Sequence, residues 1–302
     1  MAIHLGPNQY GKAETRVVRV VRDGARHTLT DLNVSVSLAG DLAATHLTGD
    51  NSGVLTTDAQ KNTVYAFARE HGIATPEEFA LTLARHFAAT QATVRRARVS
   101  VEAYAWERLG DHSFARRGQE VRTVSATVDA GGTGTETGGE WVVCGLRDLV
   151  VANTTDSEFW GYVKDPYTTL PETRDRILAT AVDARWRHAD PGPATDWEKS
   201  YAETRRLMLA AFTGTYSYSL QQTLYAMGRA ALDGRPELAE VRLSLPNRHH
   251  FLVDLAPFGL DNPDEVYIAA DRPYGLIEGS VLREGAPPAG PAWAETGAGL
   301  VT

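Results

Sequence analysis

The chain has 302 residues, which suits one large domain or about two of ordinary size, and its 43% hydrophobic and 23% charged residues are typical of a globular protein. Its net charge of -8 argues against a nucleic-acid partner, and no apolar run approaches the roughly 20 residues that cross a bilayer. A single cysteine, Cys144, excludes an intrachain disulfide and a thiolate metal site, so we expect a cytoplasmic location.

The first half of the chain predicts strands, then two helices, then strands. Alternation of apolar and polar residues at 32–38 and 99–104 is typical of strands with one buried face. Two capping boxes, Thr57-Asp58-Ala59-Gln60 and Thr75-Pro76-Glu77-Glu78, predict helices with Thr57 and Thr75 as N-caps. Further strands are predicted at 16–21 and 121–128.

The second half repeats this order after a glycine-rich segment at 130–139, which predicts a turn or linker. Strands are predicted at 141–151 and 176–186, followed by helices that begin at a Thr195-Asp196-Trp197-Glu198 box and near Leu220. Two more strands are predicted at 241–245 and 266–270. The repeated order of two strands, two helices and two strands indicates an α+β fold with antiparallel sheets, divided into residues 1–135 and 136–302.

The most informative segment combines Phe159-Trp160-Gly161-Tyr162, Tyr167-Thr168-Thr169-Leu170 and Asp175-Arg176. An aromatic face and a guanidinium fork are what recognition of a flat anionic ring requires. Taken alone, the aromatic residues also fit a protein core, and Arg176 also fits a surface ion pair.

Four further segments contain candidate functional residues. Lys12 follows Tyr10 and Gly11, and Thr57-Asp58 opens a predicted helix whose free backbone N–H groups can bind an anion. Ser219 precedes Leu220 and Gln221 at another helix start, where Ser219 also fits an ordinary N-cap. Polar residues interrupt a predicted strand in the fourth segment, Ser244-Leu245-Pro246-Asn247-Arg248-His249-His250-Phe251, which is typical of a site rather than a core.

In this order and at these separations, the five segments resemble the urate oxidase family over nearly the whole chain. The resemblance implies two tandem tunnelling-fold units with antiparallel sheets and paired helices, which assemble into barrels across subunits. It also implies a homotetramer with active sites at subunit interfaces.

The resemblance implies a role for each matched residue. Phe159 stacks on the purine, Arg176 binds one edge of the anion, and Gln221 binds the opposite amide edge with the Leu220 backbone N–H. The substrate also contacts Thr57 and the Asp58 backbone N–H of a neighbouring subunit. The resemblance assigns a proton relay to Lys12, Thr57 and His249. It assigns a site for oxygen, peroxide or water above the ring to Asn247.

The implied reaction converts urate, dioxygen and water to 5-hydroxyisourate and hydrogen peroxide without a cofactor. A deprotonated urate is electron-rich enough to reduce dioxygen, so the protein has to supply a base relay, an anion clamp and a small polar pocket. The sequence agrees, because Gly132-Thr133-Gly134 lacks the strand and helix of a dinucleotide fingerprint. His249 and His250 are predicted on opposite faces of a strand, which argues against a shared metal.

Two alternatives remain open at this stage. One is another purine or pterin enzyme of the tunnelling fold, of which the cyclohydrolase type needs zinc. The other is a catalytically inactive purine-binding relative, which would be expected to lack Lys12, Thr57 or His249. The chain contains all three residues.

Overall fold

The computed structural model describes residues 3–131 and 138–294. Within these residues the backbone forms eight β-strands and five α-helices. The strands are β1 Tyr10–Val21, β2 Thr28–Gly40, β3 Val94–Arg108, β4 Phe114–Asp129, β5 Gly139–Asn153, β6 Leu178–His188, β7 Leu238–Leu252 and β8 Tyr267–Leu282. The helices are α1 Ala43–Leu47, α2 Thr57–Glu70, α3 Pro76–Thr90, α4 Trp197–Gly214 and α5 Leu220–Gly234.

Each strand is hydrogen-bonded to the next one along the chain. The β1–β2, β2–β3, β3–β4 and β7–β8 pairs are antiparallel. Every second side chain of β2, from Leu32 to Leu38, is buried, as the alternation in the sequence predicts. The predicted α+β class with antiparallel sheets is therefore confirmed.

The chain divides into two compact units, and the division runs across β5 and β6. As far as the structure describes them, the first unit comprises Met1–Gly145, Arg187–Lys199 and Pro287–Thr302, and the second comprises Leu146–Trp186 and Ser200–Ala286. The predicted boundary between residues 135 and 136 lies outside the described residues, so the division into 1–135 and 136–302 stays a prediction.

Each unit buries the apolar face of its helices against its strands. In the first unit α2 packs on β1 and α3 packs on β3 and β4, where Phe79, Leu83 and Phe87 repeat at four-residue intervals and are buried. In the second unit α5 packs on β7 and β8. Gly228 lets this helix pack closely on β8, since an added Cβ would lie 2.6 Å from a methyl group of Val281.

Two of the four predicted helix caps are correct and two are wrong by one residue. Thr75 and Ser219 accept hydrogen bonds from the backbone N–H groups three residues later. The N-cap of α2 is Thr56, whose side chain accepts from the Ala59 N–H, so Thr57 is the first helical residue. Asp196, rather than Thr195, accepts from a backbone N–H of α4, and the Thr195 hydroxyl instead donates to the Gly192 carbonyl.

Other differences concern segment ends. β6 begins two residues after Arg176, and β8 extends twelve residues beyond the predicted end at 270. Helix α1 is not predicted by the sequence. The predicted linker at 130–139 lies mostly outside the described residues, and Gly139 already belongs to β5. None of the helices in the described ranges is long and apolar enough to cross a membrane.

Candidate active site

The segment after β5 folds back on itself and brings Phe159 close to Arg176. The backbone N–H of Phe159 donates to the Thr173 carbonyl at 2.9 Å, and the Thr173 N–H donates to the Phe159 carbonyl at 3.0 Å. Tyr162 stacks on Phe159 with ring centroids 5.0 Å apart. The Arg176 guanidinium carbon lies 5.1 Å from the Phe159 ring centroid. The guanidinium cation therefore lies over the aromatic ring, which brings together the two features that recognition of a flat anionic ligand requires.

The Arg176 guanidinium is half-buried and oriented by a buried hydroxyl. Its Nε–H donates to Oγ of Ser157 at 3.2 Å, and Ser157 is fully buried. Burial lowers the pKa of Arg176 from its ordinary value, but an arginine side chain remains protonated at neutral pH. With Nε occupied, the terminal nitrogens of the guanidinium fork remain for a planar ligand such as an amide or a carboxylate.

Helix α5 begins beside this segment, with Leu220 and Gln221 as its first two residues. The Ser219 hydroxyl accepts from the Gln222 N–H at 3.2 Å. Intrahelical bonds do not reach the first N–H groups of a helix, so the Leu220 and Gln221 N–H groups have no partner in the helix itself. Leu220 is buried and Gln221 is exposed. The helix start thus combines an exposed amide side chain with backbone donors that favour an anion.

Strand β7 carries Asn247 and His249 on either side of an irregularity in its pairing with β8. Asn247 pairs with Gly275, whereas His249 pairs with Ala270. Both side chains are half-buried. Burial, together with the nearby charges of Arg176 and His250, lowers the pKa of the His249 imidazole from its ordinary 6.5. His249 is therefore neutral at neutral pH and can accept a proton there.

In the first unit, strand β1 presents Lys12 near the start of α2. The Tyr10 hydroxyl donates to the Leu55 carbonyl at 3.0 Å and connects the strand to the segment that precedes α2. At Gly11 an added Cβ would lie 1.8 Å from the Val36 carbonyl oxygen, so only glycine permits this approach of β1 to β2. Lys12 is the next residue, and its side chain is half-buried.

Helix α2 places Thr57 and Asp58 at its exposed N-terminus. The Asp58 carboxylate accepts from Lys61 Nζ at 2.5 Å and from the Asn62 amide at 2.9 Å. These partners, chiefly Lys61, lower the pKa of Asp58, and the charge of Lys12 contributes in the same direction. The Asp58 side chain is therefore occupied within its own helix, which leaves its backbone N–H for a ligand.

The predicted site residues fall into two groups, one in each compact unit. The first unit contains Lys12, Thr57 and Asp58. The second unit contains Phe159, Arg176, Leu220, Gln221, Asn247 and His249. Direct contact joins Phe159 to Arg176, and the Arg176 charge acts on His249. The role predicted for each residue stays a prediction.

Sequence reasoning missed three buried hydroxyl residues next to the second group: Ser157, Ser217 and Thr223. They join the Phe159 segment to the start of α5 through side-chain and backbone hydrogen bonds. Ser157 lies only two residues before Phe159, so its position in the same segment was an available signal. Thr223 likewise lies two residues after Gln221, whereas Ser217 shows no periodicity that would mark it.

Among the described residues, no group of three or more His, Cys, Asp or Glu side chains has the arrangement of a metal site. His249 instead stacks on Phe251, with ring centroids 5.8 Å apart. Cys144 is buried, which raises the pKa of its thiol well above the ordinary value.

Sequence comparison relates almost the whole chain to uricases. The uricase family model matches residues 8–127 and 142–278. The uricase of Arthrobacter globiformis is 51% identical over 291 residues, which cover 96% of this chain and 93% of that protein. The uricase of Dictyostelium discoideum is 35% identical over 285 residues, which cover 91% of this chain and 96% of that protein.

Structure comparison gives the same result. The crystal structure of Arthrobacter globiformis uricase has a TM-score of 0.91 and 50% identity, and covers 98% of this chain and 100% of that one. A uricase from Bacillus fastidious shares the fold, with a TM-score of 0.77 at 24% identity over 91% of this chain and 93% of that one. These neighbours are consistent with the predicted tunnelling fold. With a matching family model and relatives that align over nearly its full length, the chain belongs to the uricase family.

Proposed function

We propose that this chain is a urate oxidase that converts urate, dioxygen and water to 5-hydroxyisourate and hydrogen peroxide. The observation that carries the proposal is the pairing of Phe159 with Arg176 in a chain 51% identical to the Arthrobacter globiformis uricase. An aromatic ring together with a half-buried guanidinium suits a flat purine anion, whereas an aliphatic substrate could not stack on the ring.

In this proposal urate lies on Phe159 and is bound at both edges. Arg176 donates to one edge through the terminal nitrogens that its bond to Ser157 leaves available. Gln221 and the Leu220 N–H bind the opposite edge from the first turn of α5, where the helix dipole favours a negative charge. Two charged or dipolar donors on opposite edges also favour the urate anion over neutral purines.

Three residues form the proposed proton relay: Lys12, Thr57 and His249. The lowered pKa of His249 supports a neutral imidazole that can take up a proton at neutral pH. Thr57 contributes a hydroxyl that can both accept and donate, and the Lys12 amine is the proposed base. Removal of a second proton from urate makes the ring a better electron donor.

Asn247 completes the proposed site by holding dioxygen and then water or peroxide near the ring. The deprotonated urate gives two electrons to dioxygen, which leaves as hydrogen peroxide. Water then adds to the oxidised ring, so the net reaction is urate + O₂ + H₂O → 5-hydroxyisourate + H₂O₂. Because the urate anion itself supplies the electrons, the proposed reaction has no step for a metal or an organic cofactor.

We further propose a homotetramer in which each site takes Thr57 and Asp58 from a neighbouring subunit, with barrels formed across subunits. The family resemblance motivates this assembly. Separation of the predicted residues into two compact units is compatible with a shared site. We also propose a cytoplasmic location, since a chain with one cysteine cannot form the intrachain disulfides that an oxidising compartment favours.

The function is tested with chelator-treated protein supplied with urate in air. We expect loss of the near-ultraviolet absorbance of urate and the appearance of peroxide at the rate of the untreated protein. Activity that disappears on chelation and returns with a metal would contradict the cofactor-free reaction. Absence of urate loss in both samples would contradict the function itself.

The shared site is tested by mixing two inactive variants through dissociation and reassembly. One variant carries Lys12→Met and Thr57→Ala, and the other carries Arg176→Ala. Some mixed interfaces would then contain no substituted residue, so activity should return in the mixture. Mixed oligomers that form and remain inactive, or a fully active monomer, would contradict sharing.

A further inference from the structure

A chain of buried hydroxyl groups connects the two ends of the proposed purine clamp. Its members are Ser157, Ser217 and Thr223, which are 0%, 1% and 0% exposed. All three belong to the second compact unit. None of them is among the residues proposed above to touch urate or oxygen.

The chain begins at the arginine. Ser157 Oγ accepts from Nε of Arg176 at 3.2 Å, which sets the direction of the guanidinium plane. The backbone of Ser157 forms a parallel bridge with Ser217, in which the Glu158 N–H donates to the Ser217 carbonyl at 2.7 Å. The Ser217 N–H in turn donates to the Asp156 carbonyl at 2.9 Å. Movement of Ser217 would therefore be transmitted to the arginine.

The chain ends at the first turn of α5. The Thr223 hydroxyl donates to Ser217 Oγ at 2.8 Å, and the Ser217 hydroxyl donates to the Ser219 carbonyl at 3.0 Å. Ser219 is the N-cap of the helix that carries Leu220 and Gln221. These bonds hold the helix start at a set distance from the Ser157–Ser217 bridge.

We propose that Ser157, Ser217 and Thr223 are positioning residues that set the spacing between Arg176 and the start of α5, and hence the affinity for the purine. This inference rests on the proposed function, because it assigns the two ends of the chain to opposite edges of urate. A clamp held at the right spacing before the substrate arrives binds more tightly, since less order has to be imposed on binding.

Burial alone does not account for these hydrogen bonds. The hydroxyls of Thr180 and Thr204 are also buried in the second unit, yet neither has a hydrogen-bond partner among the described residues. The unit thus accommodates buried hydroxyls without pairing them. The paired ones lie together where the Phe159 segment meets α5.

The test compares Thr223→Val and Ser157→Ala with Thr204→Val, which removes an unpaired buried hydroxyl of the same unit and serves as the control. For each variant we would measure KM and kcat for urate, the thermal unfolding midpoint, and the Kd for urate by anaerobic titration. Without dioxygen, urate can bind but cannot be oxidised.

We expect each chain variant to raise Kd and KM about 3- to 10-fold, which corresponds to the net contribution of roughly one hydrogen bond. The clamp holds urate equally before and during the reaction, so kcat should change by less than about twofold. Thr223→Ser restores a hydroxyl and should recover most of the lost affinity. The control should keep Kd and KM within about twofold of the wild type.

Unchanged Kd in both chain variants would overturn the inference. A constant KM with a kcat that falls only in proportion to the amount of folded protein would also overturn it. If Thr223→Val does not fold, Ser157→Ala decides the question alone, and an unchanged Kd in that variant overturns the inference. Failure of the proposed function is distinguishable from failure of this inference, because the wild type itself would then neither bind nor oxidise urate. In that case the inference would be wrong as well.

Discussion

Replacement of Arg176 by lysine preserves the positive charge but removes the planar fork of donors. In the structure Nε of Arg176 is bonded to Ser157, and the guanidinium lies 5.1 Å from the Phe159 ring centroid. A lysine ammonium can reach neither the buried hydroxyl nor a planar ligand with the same geometry. The substitution therefore separates the effect of charge from that of shape.

The expected cost follows from the bonds that are lost. A hydrogen bond to a charged group contributes about 1.5–3 kcal/mol, and each 1.4 kcal/mol is a factor of ten. If lysine retains one of the two ligand contacts, binding should weaken by about 10- to 100-fold. Anaerobic titration calorimetry with urate measures this directly. An unchanged Kd would place Arg176 outside the site and refute the clamp.

Arg176→Gln provides the matched comparison, because it removes the charge as well. The pKa of His249 is lowered first by burial and then by the charge of Arg176, so loss of that charge should raise it toward the ordinary value. Arg176→Lys should leave it nearly unchanged. Titration of the imidazole by NMR distinguishes the two variants, and equal values in both would contradict the electrostatic coupling.

Two further predictions concern the first unit. Arg122→Met should destabilise the protein by about 3–5 kcal/mol, since it strips the fully buried Glu77 carboxylate of its partner. Burial already raises the pKa of Glu77. The loss of stability should therefore be greatest above neutral pH, where the carboxyl is charged, and smaller in acid, where it is protonated. Equal stabilities of the variant and the wild type in urea at pH 8 would contradict this prediction. Gly11→Ala should lower the melting temperature and the activity, because its Cβ would overlap the Val36 carbonyl, whereas Gly6→Ala should be neutral because nothing lies within 4 Å.

Local patterns predicted the type of most segments, but not their ends. Alternation in β2 and the caps at Thr75 and Ser219 depend on neighbours in sequence, and the structure agrees with them. The predicted strand at 266–270 ends before Pro273, Gly275 and Gly279, which are residue types that weaken a strand pattern. The strand nevertheless continues, and at Gly279 the missing side chain gives room to α5, whose Leu224 lies 3.0 Å from where a Cβ would be.

The candidate site likewise contains some residues that the sequence marks and others that only the fold brings into place. Phe159 and Arg176 stand out because their chemistry is unusual in one short segment. Ser157 and Thr223 are ordinary residues whose importance depends on a fold that brings residues 157, 217 and 223 together. Likewise, Thr56 and Thr57 are equally good caps by residue type, and only the backbone geometry of α2 distinguishes them.

The central claim is that this chain oxidises urate with dioxygen through its own side chains. Simultaneous measurement of oxygen uptake, urate loss and peroxide release by chelator-treated protein tests it most directly. The proposed reaction requires these three quantities to be equal, with uptake that stops when urate is exhausted. Urate loss without oxygen uptake, or no loss at all, would contradict the claim.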